Sequence, residues 1–204
     1  METTFTQLLM SSSERETFAQ FSFTDREELL EYLFKHRLLL LVDWKGEEED
    51  WQIGNFLQKR TRALFGEPLS VHEPYSKLIA EVKNGRMVVG DSVTFLLKQF
   101  KAQLKKIGLT IVLLELGNDS YYLGLMKQTD IDKLKKQTDI AWKFVVFGNS
   151  RGEVLYTVNC ECGSTNVWQV KRGEIITDDT CQDCERQLFD ANGNCPFKVI
   201  KDYI

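Results

Sequence analysis

Four cysteines in the last quarter of the chain form a group whose chemistry follows from residue type and spacing. Cys160 and Cys162 make one close pair and Cys181 and Cys184 make a second, with eighteen residues between the pairs. Four thiolates in two close pairs can converge on one tetrahedral ion, and Zn²⁺ accepts a cage of four sulfurs. The spacing therefore predicts a metal site with these four cysteines as its ligands.

A site of this kind has a structural role, because four protein sulfurs leave no coordination position open for water or substrate. The surrounding segment is also too short to bury much apolar surface. Metal binding would supply the stability that burial does not. The expected cofactor is thus a structural Zn²⁺ ion.

Two other interpretations of the cysteines remain open. Cys181 and Cys184 have the spacing of a redox pair, but redox pairs normally open a helix that lowers the thiol pKa, and no helical pattern follows Cys184. The thiols could also be unligated. Cys195 follows the turn-forming Asn192 and Gly193, and we expect it to be a lone buried cysteine outside the site.

The strands that must position the two pairs are predicted from β-forming residues between them. Residues 166–170 and 174–177 are rich in such residues, so a hairpin that turns at Arg172 and Gly173 would bring the pairs together. Residues 157–190 therefore resemble the zinc-ribbon family, in which two cysteine knuckles are joined by β-strands. The first pair departs from that pattern by being one residue tighter than Cys-x-x-Cys, and Glu185 stands where the second knuckle often has glycine.

Many zinc ribbons bind nucleic acid, so the charge of this segment is informative. Residues 151–204 carry six basic side chains against nine acidic ones, a net charge of −3. Four thiolates and one Zn²⁺ would add about two further negative charges. Phosphate repels such a module, so we do not expect nucleic acid as a partner. A nucleic-acid-binding ribbon stays as an alternative, with Lys171 and Arg172 near Trp168 as its contact point.

The first 150 residues predict an α/β domain, or an α+β one, with two or three layers of helices and sheet. Apolar residues three and four apart predict helices at about 24–35, 48–64 and 93–107, the first opened by a capping box from Thr24 to Glu27. Continuous apolar runs predict strands at 38–42, 110–116, 121–126 and 142–147. A boundary near residue 150 separates this domain, residues 1–150, from a small all-β module, residues 151–204.

One segment of the first domain carries an enzymatic alternative. Residues 78–82 fit a strand or a helix, and Asn84-Gly85 favours a hairpin that continues into residues 87–89. Glu81 and Lys83 would then lie at a strand end, as in restriction-type nucleases, where the carboxylate holds Mg²⁺ and the lysine steadies the transition state. The aspartate that should precede them is missing. A Mg²⁺-dependent nuclease is thus kept only as the alternative function. The leading expectation is a protein without enzymatic activity.

An acidic run and two short motifs indicate a protein partner. Glu47–Asp50 is interpreted as the charged start of a helix, although an acidic face between Trp44 and Trp51 could also dock a basic protein. The residues Asp43-Trp44-Lys45 and the segment Gly117–Tyr122, each after an apolar strand, resemble a group of small bacterial α/β proteins. Some chains of that build are immunity proteins that neutralise toxins, which the resemblance implies as a role.

Composition excludes several classes of protein. The formal net charge of −4 gives no general attraction to nucleic acid or anionic membranes. No apolar run approaches the ~18 residues of a membrane span, and the N-terminus lacks the basic and apolar regions of a secretory signal. The leading hypothesis is a cytoplasmic, non-catalytic protein-interaction protein with a structural zinc site.

Overall fold

The structure is a computed structural model that describes residues 3–66, 68–118, 120–139, 142–148, 153–171 and 173–203. The chain forms two compact units, Met1–Phe147 and Gly148–Ile204. Asp119, Arg172 and the expected boundary near residue 150 lie outside the described residues.

The described part of the first unit alternates helices with short strands. Short 3₁₀ turns cover Gln7–Leu9 and Gln128–Asp130. The elements in chain order are α1 (Thr3–Thr6), α2 (Ser12–Phe18), α3 (Arg26–Lys35), β1 (Leu40–Val42), α4 (Gln52–Phe65), α5 (His72–Lys83), α6 (Asp91–Lys106), β2 (Leu109–Glu115), β3 (Tyr121–Lys127), α7 (Ile131–Leu134) and β4 (Lys143–Val146).

The four strands form one antiparallel sheet in the order β1-β3-β2-β4. Because side chains alternate along a strand, Ile111 and Leu125 enter one core while Val112 and Met126 enter the other. Helices α4, α5 and α6 cover the first face, and the N-terminal helices with α3 cover the second. The mixed helix and sheet class is confirmed, in its α+β form with three layers.

A buried ion pair joins helices on the two sides of this sheet. Arg60 of α4 is 3% exposed. Its Nη1 lies 2.5 Å from Oε1 of Glu14 in α2, and its Nη2 donates to the carbonyl of Leu9 at 2.5 Å. Glu14 also completes a capping box with Ser11 at the start of α2. The N-terminal segment is therefore fixed to α4 by charge as well as by apolar contact.

The predicted hairpin after residue 78 is wrong, because residues 78–82 belong to α5. Asn84 and Gly85 end this helix instead of turning a hairpin, since their amides donate to the carbonyls of Ala80 and Val82. Gly85 has φ +66°, the left-handed conformation typical of a residue just after a helix. The same Asn-Gly signal serves both kinds of turn, and periodicity alone did not separate them.

Two helix starts also differ from prediction. Helix α3 is capped by Asp25, one residue after Thr24. Helix α4 begins at Gln52, so the acidic run Glu47–Asp50 precedes it as a turn. The carboxylate of Glu47 folds back onto α4 and accepts from the Ile53 amide and from the Tyr75 hydroxyl, each at 2.6 Å.

The second unit contains a three-stranded antiparallel sheet of β5 (Glu153–Asn159), β6 (Thr165–Lys171) and β7 (Val199–Tyr203), in the order β6-β5-β7. The predicted hairpin between 166–170 and 174–177 is wrong. Strand β6 pairs with β5, and the described residues at 174–177 form no strand. Pairing with β5 gives β6 a ladder of seven residue pairs, from Glu153–Lys171 to Asn159–Thr165, whereas the segment 174–177 could pair with only four residues. The core of this unit is small and includes Val158, Ile176, Leu188, Phe189 and two of the cysteines.

The Glu14–Arg60 pair predicts a specific dependence of stability on pH. Burial acts to raise the pKa of Glu14, but hydrogen bonds from Arg60 and Ser11 outweigh it and the pKa is lowered. A lowered pKa in the folded state stabilises the fold above the ordinary carboxyl pKa of ~4, and this stabilisation is lost as the pH falls. We expect Glu14→Gln to reduce the free energy of unfolding by about 3 kcal/mol at pH 7, because it leaves the Arg60 charge buried without its partner.

Urea unfolding at pH 7 and at successively lower pH measures this effect. The difference between Glu14→Gln and the native chain should shrink on acidification. Glu16→Gln, at an exposed position of the same helix, is the matched control and should change little at any pH. Equal losses for the two variants at pH 7 would contradict a stabilising role of the buried pair.

Candidate metal centre

The first cysteine pair lies in the turn that joins β5 to β6. The Cys160 amide donates to the Ser164 carbonyl at 2.8 Å, and the Gly163 amide donates to the Cys160 carbonyl at 2.9 Å. Gly163 has φ +94°, a left-handed conformation that glycine adopts without strain. The tight hairpin turn thereby directs both sulfurs to one side although a single residue separates them.

The second pair lies in a similar turn outside the named strands. The Cys181 amide donates to the Arg186 carbonyl at 2.8 Å, and the Glu185 amide donates to the Cys181 carbonyl at 2.9 Å. A single β-bridge between Thr180 and Gln187 closes this loop. Glu185 has φ +58°, so the backbone is left-handed where the zinc-ribbon pattern often has glycine. Glutamate thus replaces glycine at this position, but the backbone keeps the left-handed conformation that glycine would adopt.

The four sulfurs come together in one cluster. The Sγ atoms of Cys160 and Cys184 are 3.6 Å apart, and those of Cys162 and Cys181 are 3.7 Å apart. All four ligand atoms lie within 4.8 Å of one another. A tetrahedron with Zn–S bonds of ~2.3 Å has sulfurs about 3.8 Å apart. The four cysteines are therefore close enough to hold one metal ion.

The cluster has a buried side and an exposed side. Cys160 and Cys181 belong to the core of the second unit, at 5% and 1% exposure, whereas Cys162 and Cys184 are exposed. Each of the two short sulfur–sulfur distances joins a buried cysteine to an exposed one of the other pair. A bound ion would thus tie the protein interior to both knuckles at once.

Asn166 of β6 supports the cluster from within. Its side chain is 1% exposed; its Nδ2 lies 3.5 Å from the Cys181 sulfur, and its Oδ1 accepts from the Gln182 amide at 3.0 Å. The first contact stabilises a thiolate and the second fixes the backbone of the second knuckle. Sequence reasoning missed this residue. The alternation of the strand could have revealed it, because Asn166 is a polar residue on the same inward face as Trp168 and Val170.

The pKa values of the thiols in the cluster differ from one another. Backbone amides of Cys184 and Asp183, with the Asn166 side chain, lower the pKa of Cys181 to about 6. The Ser164 amide acts to lower the pKa of Cys162, but the neighbouring Cys184 and Cys160 raise it to about 12. Four adjacent sulfurs cannot all carry negative charge without a cation. A divalent ion would release the remaining protons on binding.

A charged pair connects the exposed rims of the two knuckles. Arg186 forms an ion pair with Glu161, and the pKa of Arg186 is raised by Glu161 and by nearby sulfurs. Cys195 lies outside the cluster, half-buried against the same core.

The enzymatic alternative loses the geometry on which it depended. Glu81 and Lys83 lie in helix α5 and not at a strand end. Two residues apart on a helix, their side chains point to different sides, and the Glu81 carboxylate is 3.4 Å from the Arg86 guanidinium. Trp51 stacks on Tyr75 at 4.9 Å and is half-buried, so it does not line an exposed acidic face; Trp44 is exposed.

The fold and the site define an α+β protein that carries a four-cysteine cluster in a C-terminal β unit. The chain belongs to the family described as "Domain of unknown function (DUF6630)", whose sequence model matches residues 6–144. The four cysteines lie beyond the matched residues. No curated protein and no solved structure matches the chain. Among the residues that the structure describes, no helix is long and apolar enough to span a membrane.

The contacts of Asn166 predict a measurable effect on metal affinity. Asn166→Ala removes the hydrogen bond to the Cys181 sulfur and the acceptor for the Gln182 amide. Loss of such an outer contact typically costs about 10–100-fold in affinity, and we expect a drop in that range for Zn²⁺, measured by competition with a chromophoric chelator. Gln169→Ala, at an exposed position of the same strand, is the control. Unchanged affinity for Asn166→Ala would rule out this supporting role.

Proposed function

We propose that the protein acts by binding another protein, without catalysis, and that its C-terminal unit is a zinc-ribbon-like module held together by a structural Zn²⁺ ion. The convergence of the four cysteine sulfurs within 4.8 Å of one another carries the proposal of a metal site. The ligands would be Cys160, Cys162, Cys181 and Cys184.

The donor set supports zinc in a structural role. An all-sulfur tetrahedral shell suits Zn²⁺, and hard ions such as Mg²⁺ and Ca²⁺ prefer oxygen. Four protein ligands complete the shell, so the ion has no position at which water or substrate could be activated. A reducing cytoplasm, the compartment expected from the sequence, would keep the thiols available for the metal.

The small size of the second unit's core supports the same role. Among the described residues, six buried side chains form the central cluster of that core, and two of them are the cysteines Cys160 and Cys181. Domains with so little apolar burial usually depend on disulfides or metals. All five cysteines are free thiols in this structure, and a metal ion held by four of them would supply the missing crosslink.

The placement of the candidate nuclease residues and the resemblance of two short motifs support the interaction function. The candidate Mg²⁺ site at Glu81 and Lys83 is not assembled, which favours binding over hydrolysis. The resemblance of Asp43-Trp44-Lys45 and of Gly117–Tyr122 to immunity proteins makes toxin neutralisation one form of this function; Asp119 of that segment lies outside the described residues.

The metal proposal predicts about one zinc per chain in purified protein, measured by inductively coupled plasma mass spectrometry. Cys181→Ser should abolish stoichiometric zinc, because it removes one of the four sulfurs, whereas Cys195→Ser should retain it. Stripping zinc with a strong chelator should collapse the amide spectrum of residues 153–203 and leave that of residues 3–147 dispersed. Less than ~0.5 zinc per chain with freely titrating thiols would reject the site.

The interaction function predicts a reproducible partner when the full chain is used as bait in cells of its native host. A protein recovered in near-equal amounts, and absent with an unrelated bait of equal charge, is the expected result. The same preparation, incubated with Mg²⁺ and DNA or RNA, should show no cleavage. Cleavage that Glu81→Ala abolishes would overturn the proposal in favour of the nuclease, and reproducible failure to capture any protein would overturn it as well.

A further inference from the structure

Exposed apolar side chains are concentrated in one short segment of the first unit. Of the eleven large apolar side chains exposed in the described part of the chain, four belong to residues 79–89: Ile79, Val82, Val88 and Val89. Val88 and Val89 are the most exposed of all eleven, at 73% and 75%. Single exposed apolar residues are ordinary, but contiguous exposed apolar groups are typical of interaction surfaces.

Trp44 extends this group from a different part of the chain. A Cβ atom added to Gly90 would lie 3.1 Å from the Trp44 ring, so the indole packs directly on the backbone that follows Val89. Trp44 is itself 40% exposed. Ile79 and Val82 are three residues apart on α5 and share one face. We call Trp44, Ile79, Val82, Val88 and Val89 the valine surface.

Local hydrogen bonds hold the loop of the valine surface in place. The Val88 amide donates to the Asp91 carboxylate at 3.0 Å, and the Asp91 amide donates to the Val88 carbonyl at 3.1 Å. The Arg86 amide donates to the Glu81 carbonyl at 3.1 Å. A surface fixed in this way loses little conformational entropy when a partner binds.

The charges beside Trp44 indicate the chemistry of that partner. Gly46 and Ser92 bring the loop after Trp44 against the start of α6, with a Gly46 Cβ position 3.7 Å from the Ser92 hydroxyl. The same loop continues into Glu48, Glu49 and Asp50, which are exposed. Within the described part of the chain these three carboxylates form no ion pair, whereas the Arg86 guanidinium is paired with Glu81.

We propose that the valine surface docks an amphipathic polypeptide segment of the partner, with apolar side chains on the valines and basic side chains against Glu48, Glu49 and Asp50. Lys45 lies over the Trp44 ring, with its Nζ 5.6 Å from the ring centroid, and Lys83 ends α5. The carboxylates of Glu48, Glu49 and Asp50 outnumber these two cations, which favours a basic partner. This inference deepens the proposed interaction function and rests on it.

The probe is a synthetic helical peptide of about eighteen residues, with leucine on one face and lysine on the other. Its matched control carries glutamate in place of every lysine. We expect the lysine peptide to bind the full, zinc-loaded chain in fluorescence anisotropy, and to shift amide resonances mainly within residues 42–50 and 79–92. The glutamate peptide should bind at least about tenfold more weakly, because like charges repel.

Three variants separate the apolar from the ionic contribution. Val88→Ser with Val89→Ser keeps every charge and should weaken the lysine peptide about tenfold. Glu48→Gln, Glu49→Gln and Asp50→Asn together should weaken it less but remove most of its salt dependence. Val167→Ser, at a half-exposed apolar position in the second unit, is the control and should bind as the native chain does. Thermal melts confirm that all variants fold.

Several results would overturn the docking surface. Equal binding of both peptides, equal binding by the Val88/Val89 variant, or shifts confined to other residues would each do so. A dimer that the Val88/Val89 variant abolishes would make a second copy of this chain the occupant and overturn it too. If the captured host protein binds the Val88/Val89 variant as well as the native chain, the surface is wrong while the interaction function stands. If the native chain captures nothing, the interaction function itself fails.

Discussion

The first unit depends on the pairing of β2 with β3, a hairpin that is buried on both faces. Its register runs from Leu109 opposite Lys127 to Leu114 opposite Tyr122. Ile111 and Leu125 are fully buried in one core, and Val112 and Met126 in the other. Such a hairpin has no face to offer to water, so helices must cover both sides, and the three-layer arrangement follows from that requirement.

The second unit has less apolar core than the first and depends more on side-chain hydrogen bonds. Its sheet has one small apolar core, and the turn that joins β5 to β6 carries Cys160 and Cys162 at its tip. The polypeptide between Gly173 and Pro196 is mostly irregular, so side-chain hydrogen bonds do much of the ordering. Asp179 accepts from the Trp168 indole at 2.8 Å, and Asp190 caps the turn through Asn192 and Asn194. A metal ion held by the four cysteines would join these loops to the sheet, whereas each of the hydrogen bonds orders only one loop.

Elements that depend on the residues of one continuous segment could be predicted from the sequence. Helix α6 and strands β2 and β3 were predicted because apolar spacing and flanking glycines define them within one stretch of chain. The four cysteines also converge as their spacing predicted, although the hairpin expected to bring them together does not form. Predictions failed where a distant residue decides. No local signal showed that Glu47 would reach Ile53 and Tyr75, or that Asn166 would contact the Cys181 sulfur.

The segment that suggested a nuclease shows how secondary structure changes the meaning of the same residues. As a strand, residues 78–82 would have buried their apolar side chains and left Glu81 and Lys83 at its end to bind a metal. In the structure these residues belong to helix α5, which buries Pro74 and Tyr75 and leaves Ile79 and Val82 exposed. The Glu81 carboxylate faces Arg86. Apolar residues that a strand would have hidden thus become part of an exposed surface. Exposure of this kind lowers the solubility of a folded protein, and the proposed binding of a partner would account for its presence.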